Sequence, residues 1–169
     1  MASGDAVVQV LKVMPPGASA ATMDARPGGS TPAENVRVLD FDAASDEYMD
    51  WLCKLEGYEG GGLTFTLPYM MSSAIADDVV LAIAVRRLDA AEDVDTSHTY
   101  SFQSTTATVP GTSGFPAYPT IALTHGAQMD NWAEGELAIV RVMRDADNVA
   151  DDAAGDLELL GISAEEGVT

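Results

Sequence analysis

From Val36 onward the chain alternates apolar and polar positions in short runs. Leu63, Phe65, Leu67 and Tyr69 alternate with Thr64, Thr66 and Pro68 after a Gly60-Gly61-Gly62 turn, the period-two pattern of a half-buried strand. Met49, Trp51, Cys53 and Leu55 make a second row opposite Asp50 and Lys54, and Val79, Leu81, Ile83 and Val85 a third. A turn rich in Asp89, Glu92, Asp93 and Asp95 follows, and Tyr100 and Phe102 then lead a Ser/Thr-rich strand that ends at Val109-Pro110-Gly111. Ile121 and Leu123 mark another strand, Ala138, Val140 and Val142 the next, and Leu157 to Ile162 the last. No window sustains a 3.6-residue period over three turns. The best helical candidate, Asn148 to Ala154, is too short and too Asp-rich to stand alone. Short strands joined by Gly, Pro and Asp turns predict an all-β fold, an antiparallel β-sandwich of jelly-roll-like type.

Ahead of this body the pattern changes. Asp5 to Met14 predicts a strand, whereas Pro15 to Glu34 holds Pro15, Pro16, Gly17, Pro27, Gly28, Gly29 and Pro32 among Ala, Ser and Thr, with little to bury. Such a segment cannot offset its own ordering entropy. It reads either as an extended arm fixed by a partner or as a long ordered surface loop. The division this suggests is an N-terminal strand and arm over residues 1–35 and a sandwich over 36–169.

Charge narrows the function. Eight basic residues against 27 acidic ones give −19 over 169 residues, so a nucleic-acid partner is not expected. No stretch approaches the ~20 apolar residues of a membrane span, and the N-terminus lacks the basic and apolar regions of a signal peptide; a soluble protein made in a cytoplasm is the expectation. Cys53 is the only cysteine and lies in a core row, which predicts an inert buried thiol. Catalytic templates are missing: no Gly-x-Ser-x-Gly, no Gly-x-x-x-x-Gly-Lys, no His-Glu-x-x-His and no Cys-x-x-Cys. His98 and His125, the only histidines, both fall on expected strands and read as structural. No enzyme activity, cofactor or metal is expected. Asp145, Asp147, Asp151, Asp152 and Asp156 offer hard oxygen ligands, but Val149 and Ala150 stand where a calcium loop needs a ligand and a Gly. They read as a solvated acidic loop.

Two further features bear on binding. Trp51 belongs to a core row, while Trp132, Phe115, Tyr118 and Tyr58 fall in loops where an aromatic ring can meet a sugar. The loop from Pro110 to Pro119 either presents such a surface or clips the end of the sandwich. On the strand from Asp78 to Leu88, Ala82 and Ala84, followed by Arg86, lie opposite the large core row. Small apolar residues on an outward face imply close approach by a loop of the same chain or by a neighbouring subunit.

The spaced pattern Leu39-x-Phe41-Asp42-x-x-Ser45-x-Glu47-Tyr48, Gly61-Gly62-Leu63-Thr64, Asp78-Val79-Val80, Gly135-x-Leu137-x-x-x-Arg141-Val142-x-Arg144-Asp145-Ala146-Asp147 and Gly155-Asp156-x-x-Leu159-Leu160-Gly161 resembles small jelly-roll virion structural proteins of tailed bacteriophages. It runs from about Val36 to Ile162 and leaves the N-terminal region outside. The resemblance implies a capsid decoration (cement) protein on the outer capsid surface of a virion. Such a protein would be a homotrimer bound to the major capsid protein, with the arm before Val36 as anchor and the Ala82/Ala84 face as subunit contact. The alternative it implies is a tail- or fibre-associated jelly-roll module that recognises host-surface glycans through the Phe115–Tyr118 and Trp132 loops.

Overall fold

The computed structural model describes residues 7–167; the expected strand's first two residues, Asp5 and Ala6, and the start of the expected arm lie outside them. Among the described residues twelve strands, all paired antiparallel, form one five-stranded sheet and two smaller ones. In chain order they are β1 (Val7–Met14), β2 (Thr22–Pro27), β3 (Asn35–Phe41), β4 (Glu47–Glu56), β5 (Leu63–Thr66), β6 (Tyr69–Met71), β7 (Asp78–Leu88), β8 (Gln103–Thr108), β9 (Thr120–Leu123), β10 (Leu137–Arg144), β11 (Leu157–Leu159) and β12 (Ser163–Glu166). The large sheet runs β1-β4-β10-β7-β8, and the smaller ones run β2-β3-β11-β6 and β12-β5-β9. The architecture is the expected β-sandwich of jelly-roll-like type.

The core forms where the period-two rows meet. Met49, Trp51, Cys53 and Leu55 from β4, Val79, Leu81, Ile83 and Val85 from β7, and Val140 and Val142 from β10 are all buried. They face Leu39, Phe41, Leu63, Phe65, Leu67, Tyr69, Met71, Leu157 and Leu159 of the smaller sheets in one cluster. The alternation that starts at Leu63 continues unbroken to Met71 through the gap between β5 and β6. Pro68 in that gap has no N–H to give a ladder, although its carbonyl still accepts from Leu160 N (2.8 Å). At the turn before β5, Gly62 has φ of 79°, and a Cβ there would lie 2.5 Å from the Leu123 carbonyl oxygen. Only glycine closes that corner.

Within the described part of residues 1–35, two segments are paired into the sheets. β1 pairs along β4 from Val7↔Glu56 to Met14↔Asp50, with a bulge at Leu11 that shifts the register. β2, inside the stretch expected to be linker or loop, pairs with β3 from Thr22↔Asp40 to Pro27↔Asn35. Both are edge strands whose side chains are largely exposed, so they lack the strong apolar alternation that marks a central strand.

Asn148 to Ala154 forms no helix, in keeping with its short Asp-rich sequence, and the one helical turn among the described residues is a 3-10 turn at Ala127–Met129. Differences elsewhere follow from tertiary contacts. Tyr100 and Phe102 do not open a strand; β8 starts at Gln103. The chain ahead of it crosses the outer face of the large sheet. There Tyr100 lies over the Arg141 guanidinium, 4.2 Å from Cζ to ring centroid, and Phe102 packs near Tyr48 at 6.2 Å. Arg141 is the cross-strand neighbour of Ala84, and Met143 that of Ala82. The small residues therefore admit a segment of the same chain, and both alanines are buried.

Candidate functional site

The acidic connection between β10 and β11, expected to be solvated, is built around a charged side chain with no solvent exposure. Arg144 donates to the Ala153 carbonyl (2.9 Å), the Gly155 carbonyl (2.7 Å) and both carboxylate oxygens of Asp151 (2.8 and 3.1 Å). Asp152 accepts from Asp78 N (2.8 Å) and Asp156 from Ala43 N (3.2 Å). Four of the five candidate ion ligands are thus acceptors that hold the loop, since Asp145 accepts from Asn148 Nδ2 (2.8 Å). Asp145 and Asp147 also lie beside Asp46 of the β3–β4 turn, with carboxylate oxygens within 4.8 Å of one another. This triad repels itself. The Asp147 carboxyl is held above its ordinary range by Asp46 first, then by desolvation and Asp145.

Neither histidine lies on a strand. His125 follows β9, and its Nδ1 sits 3.1 Å from the hydroxyl of Tyr58, which also accepts from Gly62 N (3.0 Å). His98 packs edge-on against Tyr100 at 5.1 Å. The Cys53 thiol is fully buried and pushed up to about 12 by desolvation, which leaves it inert as expected.

The loop aromatics divide. Trp132 is fully buried, its indole N–H donating to the Glu136 carbonyl (2.9 Å), and Tyr58 is buried as well. Neither can meet a ligand. Phe115 and Tyr118 are 61% and 64% exposed. Their loop clips the end of the sandwich, one of the two readings its sequence allowed. Ser113 Oγ donates to the Met71 and Ser72 carbonyls, Ala117 and Tyr69 exchange both backbone hydrogen bonds, and Leu67 N donates to the Pro119 carbonyl. Clipped along β6 in this way, the loop turns two rings outward from a fixed backbone.

Beside it lies a groove of about 500 Å³ on the outer face of the β2-β3-β11-β6 sheet. Its walls are mostly apolar, with Pro27, Val36, Met70 and Leu160 among them, and Gly114 and Pro116, the neighbours of Phe115, form its rim. Its polar centre is an ion pair between Arg26 of β2 and Glu158 of β11, side chains 42% and 2% exposed. The register sets them diagonally, four positions apart along β3. Arg26 lies opposite Val36 on β3, and Glu158 lies opposite Asp40 on the same strand and Met70 on β6. The guanidinium therefore reaches across β3. Neither residue stands out in the sequence, because one falls in an apparent linker and the other is one acid among many. An apolar trough with a few convergent polar groups is the usual form of a small-molecule site.

No family model matches the chain, and no curated protein matches it. Among solved structures it is similar to TmCBM61 in complex with beta-1,4-galactotriose, at 12% identity and a TM-score of 0.37, over 90% of this chain and 86% of that one. It is also similar to a family 11 carbohydrate-binding module from Clostridium thermocellum in complex with a beta-1,3-1,4-mixed-linked tetrasaccharide, at 13% identity and a TM-score of 0.45, over 99% and 98%. Neither likeness is close enough to transfer a binding residue.

Proposed function

We propose that this chain is a non-catalytic glycan-binding β-sandwich module, with the groove between β2 and the Pro110–Pro119 loop as its site. The observation that carries this reading is the pairing of an exposed, backbone-pinned ring, Phe115, with a groove whose floor holds the Arg26–Glu158 pair. Sugar rings offer apolar C–H faces to an aromatic ring and hydroxyls to charged donors and acceptors, and here the ring-bearing loop borders the trough that holds the charged pair. Rigid attachment matters, because a loop backbone already fixed loses little entropy on binding.

The capsid-decoration role needs an anchoring arm and a free small-residue face. β1 and β2 are paired into the sheets, and Ala82 and Ala84 are buried. The tail- or fibre-borne glycan module asks for neither, and it is the setting this reading favours.

The test is a glycan array probed with the full chain and with Phe115→Ala. The expected result is binding to a defined set of oligosaccharides, weakened about tenfold by the substitution, the worth of one stacked ring. Binding to no saccharide, together with co-sedimentation on phage shells, would overturn the proposal and restore the decoration role.

A further inference from the structure

Resting on the glycan reading of the same groove, we infer that its ligand is a saccharide bearing a protonated amine, which takes the place of the Arg26 guanidinium on Glu158. Glu158 is 1% exposed on an inner strand, and its Oε1 meets the Arg26 guanidinium. Its charge is met by Arg26 alone among the salt bridges of the described residues. A buried carboxylate retained in this way is costly unless a cation stays on it. Yet the cation supplied is loosely built in. Arg26 comes from an edge strand, its side chain is 42% exposed, and its Nε has no partner. It behaves as a placeholder that a second cation can displace while Glu158 stays fixed.

The surroundings choose the sign of that second charge. Asp24 and Asp40 share the sheet face with Arg26 and Glu158, and Glu34 lines the groove. The Asp40 carboxyl is raised by desolvation first, then by repulsion from Asp156, Asp24 and Glu47, with Arg26 opposing. One guanidinium thus serves several carboxylates on a chain of net charge −19. A uronate would be repelled and a neutral sugar would leave Arg26 in place. An amino sugar brings the missing cation, and its ring can lie against Phe115. A charge-assisted hydrogen bond from its ammonium to Glu158 is about twice as strong as a neutral one.

The experiment is calorimetric titration of the full chain with a β-1,4-linked glucosamine tetramer, its N-acetylated counterpart and tetralysine. The glucosamine tetramer is expected to bind at least about tenfold more tightly than the acetylated one, a difference of about 1.4 kcal/mol, and more tightly than tetralysine. Arg26→Gln, which frees Glu158, is expected to tighten the glucosamine tetramer several-fold and leave the acetylated one unchanged. Equal binding of the two tetramers would overturn the charge inference while the glycan reading stands. Binding of neither would remove both. Tighter binding of tetralysine would overturn the choice of a saccharide, and weaker binding of the glucosamine tetramer to Arg26→Gln would show that Arg26 is itself the reader. The wild-type comparison decides the matter even if the variant does not fold.

Discussion

Arg144 and Asp151 meet with side chains 0% and 1% exposed, Nη2 to Oδ1 at 2.8 Å and Nε to Oδ2 at 3.1 Å. Asp151 Oδ2 also accepts from Val80 N (2.9 Å), and Arg144 caps two carbonyls of the following loop. One charge pair therefore ties β10, β7 and the approach to β11 together. Removing the cation leaves a buried carboxylate unpaired and two carbonyls unmet. Arg144→Ala is expected to cost about 3–5 kcal/mol, read as a lower urea midpoint at constant slope. A loss under about 1 kcal/mol, the range of an exposed bridge, would contradict this role.

The acidic triad gives a pH-dependent effect of opposite sign. A carboxyl whose folded-state pKa is raised, as that of Asp147 is by Asp46, desolvation and Asp145, lowers stability at pH values above its folded pKa. That penalty shrinks as pH falls through the folded value and is gone below the unfolded one. Asp147→Asn is therefore expected to raise the melting temperature at neutral pH, to lose its advantage in acid, and to show a smaller effect in 1 M salt, where the Debye length is about 3 Å. A variant less stable than wild type at neutral pH would show that the aspartate is held by a favourable contact.

The crossing segment can be tested through the residue beneath it. Ala84 has no exposure and lies beside Arg141, over which Tyr100 stacks. Ala84→Leu is expected to cost about 1–3 kcal/mol through overpacking and to change the near-ultraviolet circular dichroism of the tyrosines. A neutral substitution would mean that the alanine face is open and available to another subunit.

Much of the fold was legible because one face of each central strand carries an unbroken row of large apolar residues. The rows from Met49, Leu63 and Val79 read as core, and they are core. What escaped the sequence had physical causes. β2 is an edge strand flanked by Pro and Gly, so the alternation that reveals a strand is diluted. Arg144 looks like a surface charge because a fully buried arginine is made possible only by carbonyls and a carboxylate brought in by a later loop. Trp132 looked available because an indole in a loop usually is, whereas here a local turn returns the Glu136 carbonyl to its N–H. Half of the candidate site was visible in Phe115 and Tyr118. The other half, Arg26 and Glu158, required knowing that β3 lies between β2 and β11.

The groove itself is best tested by methyl NMR of the methionines during titration with an oligosaccharide that binds. Met70 lines the groove, whereas Met49 and Met129 are fully buried in the core. The prediction is that the Met70 methyl shifts progressively and saturates with the binding isotherm while the Met49 and Met129 methyls stay in place. A saturated complex in which Met70 does not move would contradict the assignment of this groove as the binding site.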